Sequence, residues 1–409
     1  MIHKPTLPIH RAFRGNALIL PAAAIPLLAW LAPLGFAPLF ALTGLLCLPA
    51  WRRPVADRRL LALLCAGAAW AAISEIWTPF RAARLEQDTA LELVLSIPLA
   101  WACICAARGA SAQARTRALD TLSWGLAALG AILLFESFTN AFLYRSLTQL
   151  MHAPMRIDLA ERNVSRATYG LILFSPISAA HLIRGRRLWL LIPTLAGALF
   201  AAHVGRHAPL LAIIAAPPIA FAAYRWPRML PRALGGITCA LFASMPLLIL
   251  AARGSGHYEQ LRSALPESWS TRLLFWEHAT DAIASHPLRG WGLGASRAIH
   301  PSVGLHPHNG ALQIWLELGL PGVVVAAAAW WLILSRRSRN TASVANAACV
   351  TVTTTYLVFQ TISFGIWQAW FIGMGCLAAT FCDLLLQEEM SAAPSAAVSE
   401  VCAEPSLVG

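Results

Sequence analysis

Arg225–Ala252, RWPRMLPRALGGITCALFASMPLLILAA, sets three arginines (Arg225, Arg228, Arg232) before residues 233–252, a run without a single charge. A helix needs roughly 17–25 apolar residues to cross the hydrocarbon of a bilayer, so this run reads as a transmembrane span. Arginines collect on the cytoplasmic side of short connections, so the span enters from the cytoplasm and leaves at Arg253. The same reading carried outward in both directions yields twelve spans. They cover about 16–34, 35–50, 60–78, 89–107, 121–143, 167–184, 188–204, 208–224, 233–252, 309–335, 341–364 and 366–386. The first two are proline-rich and poorly separated, which leaves one helix or two open.

Basic residues arbitrate the register. With the N-terminus in the cytoplasm, the inside segments hold Lys4/Arg11/Arg14, Arg52/Arg53/Arg58/Arg59, Arg108/Arg115/Arg117, Arg184/Arg186/Arg187, Arg225/Arg228/Arg232 and Arg336/Arg337/Arg339. These are 19 of the 31 basic residues, and slipping the register by one span would put all of them outside. The expected fold is therefore an all-α polytopic integral membrane protein of about 12 transmembrane helices. One transmembrane domain is expected over 1–386, and the Ala/Ser/Pro-rich stretch 387–409 reads as a disordered cytoplasmic tail. A composition of 58% hydrophobic and 12% charged residues excludes an ordinary soluble globule. The net charge of +12 reads as topology, so nucleic acid is not an expected partner. The nine cysteines lie in apolar segments or the tail without a CxxC pair, which argues against a disulfide framework or a zinc ribbon. The basic start followed by an apolar run reads as an uncleaved signal anchor.

This register puts 253–308 outside as one long polar loop, together with 144–166 and the turn at Gly205-Arg206-His207. Glu75, Glu92, Glu136, His203 and Glu317 fall in the outward halves of their spans. An intramembrane charge is unfavourable by a few kcal/mol and generally faces a wet cavity or a partner, so the five point to a polar site near the outer leaflet. Within the loop, Leu273, Trp276, Thr280 and Ile283 recur at helical spacing, predicting a helix over Thr271–Ser285 with Ser270 as its cap. Trp269 and Trp276 fit either headgroup depth or packing on the bundle.

Four motifs follow one another across this region: Arg272-x-x-x-Trp276, His286-Pro-x-x-Gly290-x-Gly292, His306-x-His308-Asn309 and Glu317-x-Gly319-x-x-Gly322. In this order the set resembles the O-antigen ligase and O-antigen polymerase superfamily, densely over about 200–325. The resemblance implies a glycosyltransferase C-like membrane enzyme of the bacterial inner membrane with its site facing the periplasm. The implied partners are an undecaprenyl-pyrophosphate-linked glycan as donor and a lipid A-core or a second glycan as acceptor. No cofactor or metal is implied. It also implies that Arg206 and Arg272 serve the donor pyrophosphate, although Gly205-Arg206 fits the family's first motif loosely, and that His308, directly before Asn309, is the catalytic residue.

Chemistry points the same way. A pyrophosphate leaves without an acid once its charge is neutralised, and arginine's planar fork matches phosphate oxygens. Arg162 and Arg166 are secondary candidates for that role. The acceptor hydroxyl needs a base, and a histidine kept neutral at a helix start suits neutral pH. Asn309 is a natural N-cap for the following helix. His306 either orients His308 or binds substrate, and Trp276 and Glu317 are supporting residues. His300, His306 and His308 lack a cysteine or carboxylate to complete a zinc site. Glu86-Gln87-Asp88 keeps an acidic metal-binding pair open as an alternative. The glycines 290–294 have no strand–helix unit around them, so they read as a tight turn beside the substrate. A ligase is favoured over a polymerase by the single long loop. A non-enzymatic lipid-linked glycan transporter is the third reading, and it would require charge through the span centres of both halves.

Overall fold

The computed structural model describes residues 16–50, 57–84, 87–203, 207–299 and 302–392, and they contain helices and no strand. In chain order the α-helices are α1 (Ile19–Leu31), α2 (Phe36–Cys47), α3 (Arg58–Ser74), α4 (Thr89–Gly109), α5 (Ala112–Phe138), α6 (Phe142–Leu150), α7 (Ile157–Ser165) and α8 (Ala167–Arg184). They continue as α9 (Leu191–His203), α10 (His207–Arg225), α11 (Met229–Gly254), α12 (His257–Ala264), α13 (Glu267–Ser285), α14 (Gly310–Ser335), α15 (Val344–Ile362) and α16 (Ala369–Ala392). Each of the twelve spans read from the sequence coincides with one of these helices. Seven of them are long and apolar enough to cross a membrane by length and composition, and the chain is an all-α polytopic membrane protein. α15 carries Thr351, Thr353, Thr354 and Thr361 along its length. Each of these hydroxyls donates to the carbonyl four residues back, so none is left unpaired in the helix.

Local chemistry sets the helix ends. Asp57, Asp88, Ser111 and Ser343 each accept from a backbone N–H in the first turn of α3, α4, α5 and α15. The first two spans are separate helices. Pro33 forces Ala32 out of the helical region (φ −155°, ψ 73°), and a 3-10 turn at Pro33–Gly35 divides α1 from α2. Between α5 and α9 the backbones meet on small residues: a Cβ added at Gly197 would sit 2.5 Å from the Gly130 Cα. Such contacts substitute for the hydrophobic driving force that is missing between helices in lipid.

Among the described residues, the arginines assigned to one side meet acids at one end of the bundle. Arg108 pairs with Asp383 at 2.8 Å, Arg187 with Asp120, and Arg336 with Asp57. Arg336 follows the last residue of α14, whereas His308 stands before its first, so the clusters and the histidine occupy opposite ends of the fold. α16 runs past residue 386, the end expected from the sequence, to Ala392. Its last turns are anchored by Glu388 on His181 Nδ1 (3.0 Å), Glu389 on the Ser343 hydroxyl (2.5 Å) and Ser391 on Arg115 (2.6 Å). Those polar contacts recruit 387–392 into the folded unit in place of the disordered tail expected there.

Candidate functional site

The site is assembled around a break in α14. Gly319 adopts φ +62°, ψ −159° inside the helix, which frees the carbonyls of the preceding turn. Each finds a donor: Trp291 N–H to Leu316 (2.8 Å), Gly292 N–H to Glu317 (2.8 Å) and Trp70 Nε1–H to Leu318 (2.9 Å). Leu320 N–H returns the pairing to the Pro287 carbonyl at 3.0 Å. Freed backbone groups at membrane depth are tolerated only when paired in this way. The two glycine motifs are thus each other's partners. A Cβ on Gly290 (φ +68°) would collide with the Glu317 carbonyl, and one on Gly319 would lie 2.5 Å from the Leu288 oxygen. The glycines at 290–294 form the expected tight turn, and the neighbours that demand Gly290 and Gly292 are α14 and the Ser74–Thr78 segment.

Glu317 completes this brace. It is fully buried and accepts from Gly294 N–H (2.8 Å), Ser296 Oγ (2.7 Å), Gln313 Nε2 (3.2 Å) and Trp367 Nε1 (2.7 Å). Gln313 in turn accepts from Ile366 N–H at 3.0 Å. The expected supporting role of Glu317 is therefore to bind the glycine turn and the 363–368 connection to one helix.

The loop helix begins at Glu267, a turn earlier than expected, so Ser270 lies inside it and does not cap it. Its buried side, Leu273, Ala279, Thr280 and Ile283, packs on the bundle. Trp276 donates its Nε1–H to the Pro307 carbonyl at 2.8 Å, fixing the peptide just before His308. Arg272, a turn earlier, donates to the Ile362 carbonyl at 2.8 Å and stacks on Trp269 at 5.0 Å.

His308 has φ +54°, a left-handed conformation unusual for a side chain of this size. It is held from three sides. Its backbone N–H donates to His306 Nδ1 at 3.2 Å, its ring lies parallel to Phe275, and Nδ1 stands 2.7 Å from the Ser363 carbonyl. Because a carbonyl only accepts, Nδ1 carries the proton and Nε2 is left with its lone pair. Asn309 caps α14 as expected, accepting from Leu312 N–H at 3.1 Å. Burial lowers the His308 pKa below its ordinary value; the Ser363 bond opposes this and the nearby Arg272 charge adds to it. The His306 ring, 4.1 Å away, is pushed down to about 3 by burial, then by His308, Arg272 and Arg297. Both imidazoles are neutral at pH 7. A lowered pKa keeps His308 in its basic form to lower pH, so the acidic limb of kcat/KM is expected below the ordinary histidine value of about 6.5. A pH profile of the initial rate checks this, and a limb above 6.5 would contradict it.

Other expected residues are arranged less centrally. Arg206, Glu86 and His300 lie outside the described residues. Arg162 and Arg166 are exposed on α7 and at its C-terminal cap, and Arg166 precedes Tyr169, whose hydroxyl reaches Ser363 Oγ at 3.4 Å. Asp88 is a helix cap. The four outward acids do not share one cavity: Glu136 caps α6 through Leu143 and Tyr144 (3.0 and 2.8 Å), and Glu317 is enclosed. Two participants escaped the sequence reading. The Ser363–Gln368 connection supplies the carbonyl that orients His308, and Arg297, whose charge helps to lower the His306 pKa, stands 5.0 Å over the Phe80 ring. A polar, glycine-containing turn between the last two spans was the available signal for the first.

Residues 163–327 match the family model described as O-Antigen ligase. Among curated proteins, the chain is similar to candidate polysaccharide ligases of Rickettsia felis and Rickettsia conorii. It is 29% identical to each, over 142 and 146 residues. Each alignment takes in 31% of this chain, and 35% and 34% of the relative, so only about a third of those proteins' length is matched. The matched window encloses Arg272, Trp276, the glycine turn, His306, His308, Asn309 and Glu317, and over it the chain is similar to the O-antigen ligase family.

Proposed function

We propose that this protein moves a glycan from undecaprenyl pyrophosphate to a lipid A-core acceptor on the periplasmic face of the bacterial inner membrane. The observation that carries the reading is His308: neutral, with Nδ1 spent on Ser363, and with Arg272 close enough to lower its pKa. In the proposed step the acceptor hydroxyl attacks the anomeric carbon of the donor and passes its proton to His308 Nε2. The bond from that carbon to the pyrophosphate oxygen breaks, and the pyrophosphate leaves with the electron pair. Arg272, with one nitrogen anchored on Ile362, offers its remaining N–H groups to the departing oxygens, and Arg206 is its proposed companion. The arginines supply the charge a metal would otherwise supply, so the reaction is proposed to be metal-independent. The arginine clusters gathered at the end opposite His308 support a site facing the periplasm, and the loop over about 253–308 is proposed as the catalytic segment of a single membrane domain over 1–386.

The test is transfer from purified lipid-linked glycan in the presence of EDTA, offering lipid A-core and a second lipid-linked repeat as alternative acceptors. Product on lipid A-core is expected, and product only on the second repeat would make the protein a polymerase. Arg272→Lys replaces a fork with a point charge and is expected to lower kcat/KM about tenfold or more with normal membrane insertion. Full activity of Arg272→Lys, or inactivation by EDTA that magnesium or manganese reverses, would remove the arginine mechanism.

A further inference from the structure

The described residues hold a recess that the transfer step does not use. It has a volume of about 190 Å³ and lies between the segment after α3 and the glycine turn, lined by Glu75, Phe80, Arg81, Gln87, Asp88 and Gly294 among others. Arg297 connects it to the histidines. Its guanidinium sits over the Phe80 ring at the edge of the recess, and the same charge acts on His306. The two arginines around the histidine pair therefore come from different flanks. Arg272 is held by the end of α15, whereas Arg297 stands over Phe80 after α3.

We propose that this recess is a sugar subsite that seats an uncharged pyranose ring of the acceptor, beside Arg297. The lining carries both charge signs. An anionic sugar would meet Glu75 and Asp88, and a cationic amino sugar would meet Arg81 and Arg297. A neutral polyol can instead donate to the carboxylates and accept from Arg81 and Gln87. Phe80 adds an apolar ring surface at the wall, which suits the C–H face of a pyranose. The recess is small, which limits it to about one ring, and it adjoins the turn whose Ser296 hydroxyl holds the carbonyl of Leu305, directly before His306, at 3.2 Å. The Arg272 flank stays with the donor pyrophosphate.

This subsite rests on the transferase reading, so its test must not depend on turnover. The full-length protein in lipid nanodiscs is titrated with methyl α-glucoside and methyl α-heptoside, and saturation transfer to the sugar protons is recorded by NMR. Saturation is expected for the wild type, with affinity about tenfold weaker in Arg81→Ala and in Glu75→Gln, the size of one lost charge-assisted hydrogen bond. Arg81 is exposed, so its alanine variant is expected to fold as the wild type does. His308→Ala and Arg272→Lys are expected to bind the glycosides normally. Absence of saturation in the wild type, wild-type affinity in both recess variants, or displacement of the glycoside by undecaprenyl pyrophosphate would each overturn the subsite. Glycoside binding without any transfer activity would sink the enzyme reading and leave the sugar site standing.

Discussion

Replacing His308 with alanine is expected to slow glycan transfer by about 10²- to 10⁴-fold, the usual worth of a positioned general base, with donor binding retained. The geometry makes this a sharp expectation. Nδ1 is committed to Ser363, so Nε2 is the only ring atom able to take a proton, and Phe275 and the Pro307 peptide fix where it points. Among the described residues, no second base of the right kind stands in for it. His306 is pushed to a pKa near 3, and its Nδ1 already accepts the His308 backbone N–H. His306→Ala is therefore expected to act through position, with a smaller loss of kcat and a His308 backbone freed from its left-handed turn. The measurement is kcat and KM for donor in the purified transfer assay. Near-normal kcat in His308→Ala would reduce this residue to the start of a helix.

Glu317→Ala is expected to abolish folded protein in place of slowing it. The change leaves Gly294 N–H, Ser296 Oγ, Gln313 Nε2 and Trp367 Nε1 without their common acceptor in a site that water does not reach. An orphaned buried donor costs about 1–3 kcal/mol, so four together rival a typical net stability of about 5–15 kcal/mol. Glu317→Gln keeps two acceptor lone pairs but turns an NH2 toward one of the donors, and should be intermediate. Thermal unfolding and monodispersity after detergent extraction separate the three. An alanine variant that melts with the wild type would mean the four donors are satisfied some other way.

The course of the chain through the membrane was readable because lipid makes apolar length and arginine placement decisive. That is why α11, bracketed by Arg228 and Arg253, stands where hydropathy puts it. The ends were harder wherever a tertiary partner intervenes. α16 outruns its apolar stretch because Glu388 and Ser391 find His181 and Arg115, groups more than 200 residues earlier in the chain. For the site, motif order singled out Arg272, His308 and Asn309, and residue chemistry supplied the role proposed for the histidine. Sequence spacing could not show that Ser363 holds the tautomer, nor that Glu317 is saturated by donors from three separate segments. Both facts depend on contacts across long chain separations that have no local pattern.

The interrupted helix α14 also bears on how this protein can be recombined with its relatives. The turn at 286–294 supplies the hydrogen bonds that the break at Gly319 removes, so the external loop and the membrane helix form one exchangeable unit, not two. A chimera that imports a foreign loop while retaining the native 313–320 segment would carry mismatched halves of one backbone pairing. Exchange boundaries placed before Glu267 and after Gly322 keep both halves from a single parent.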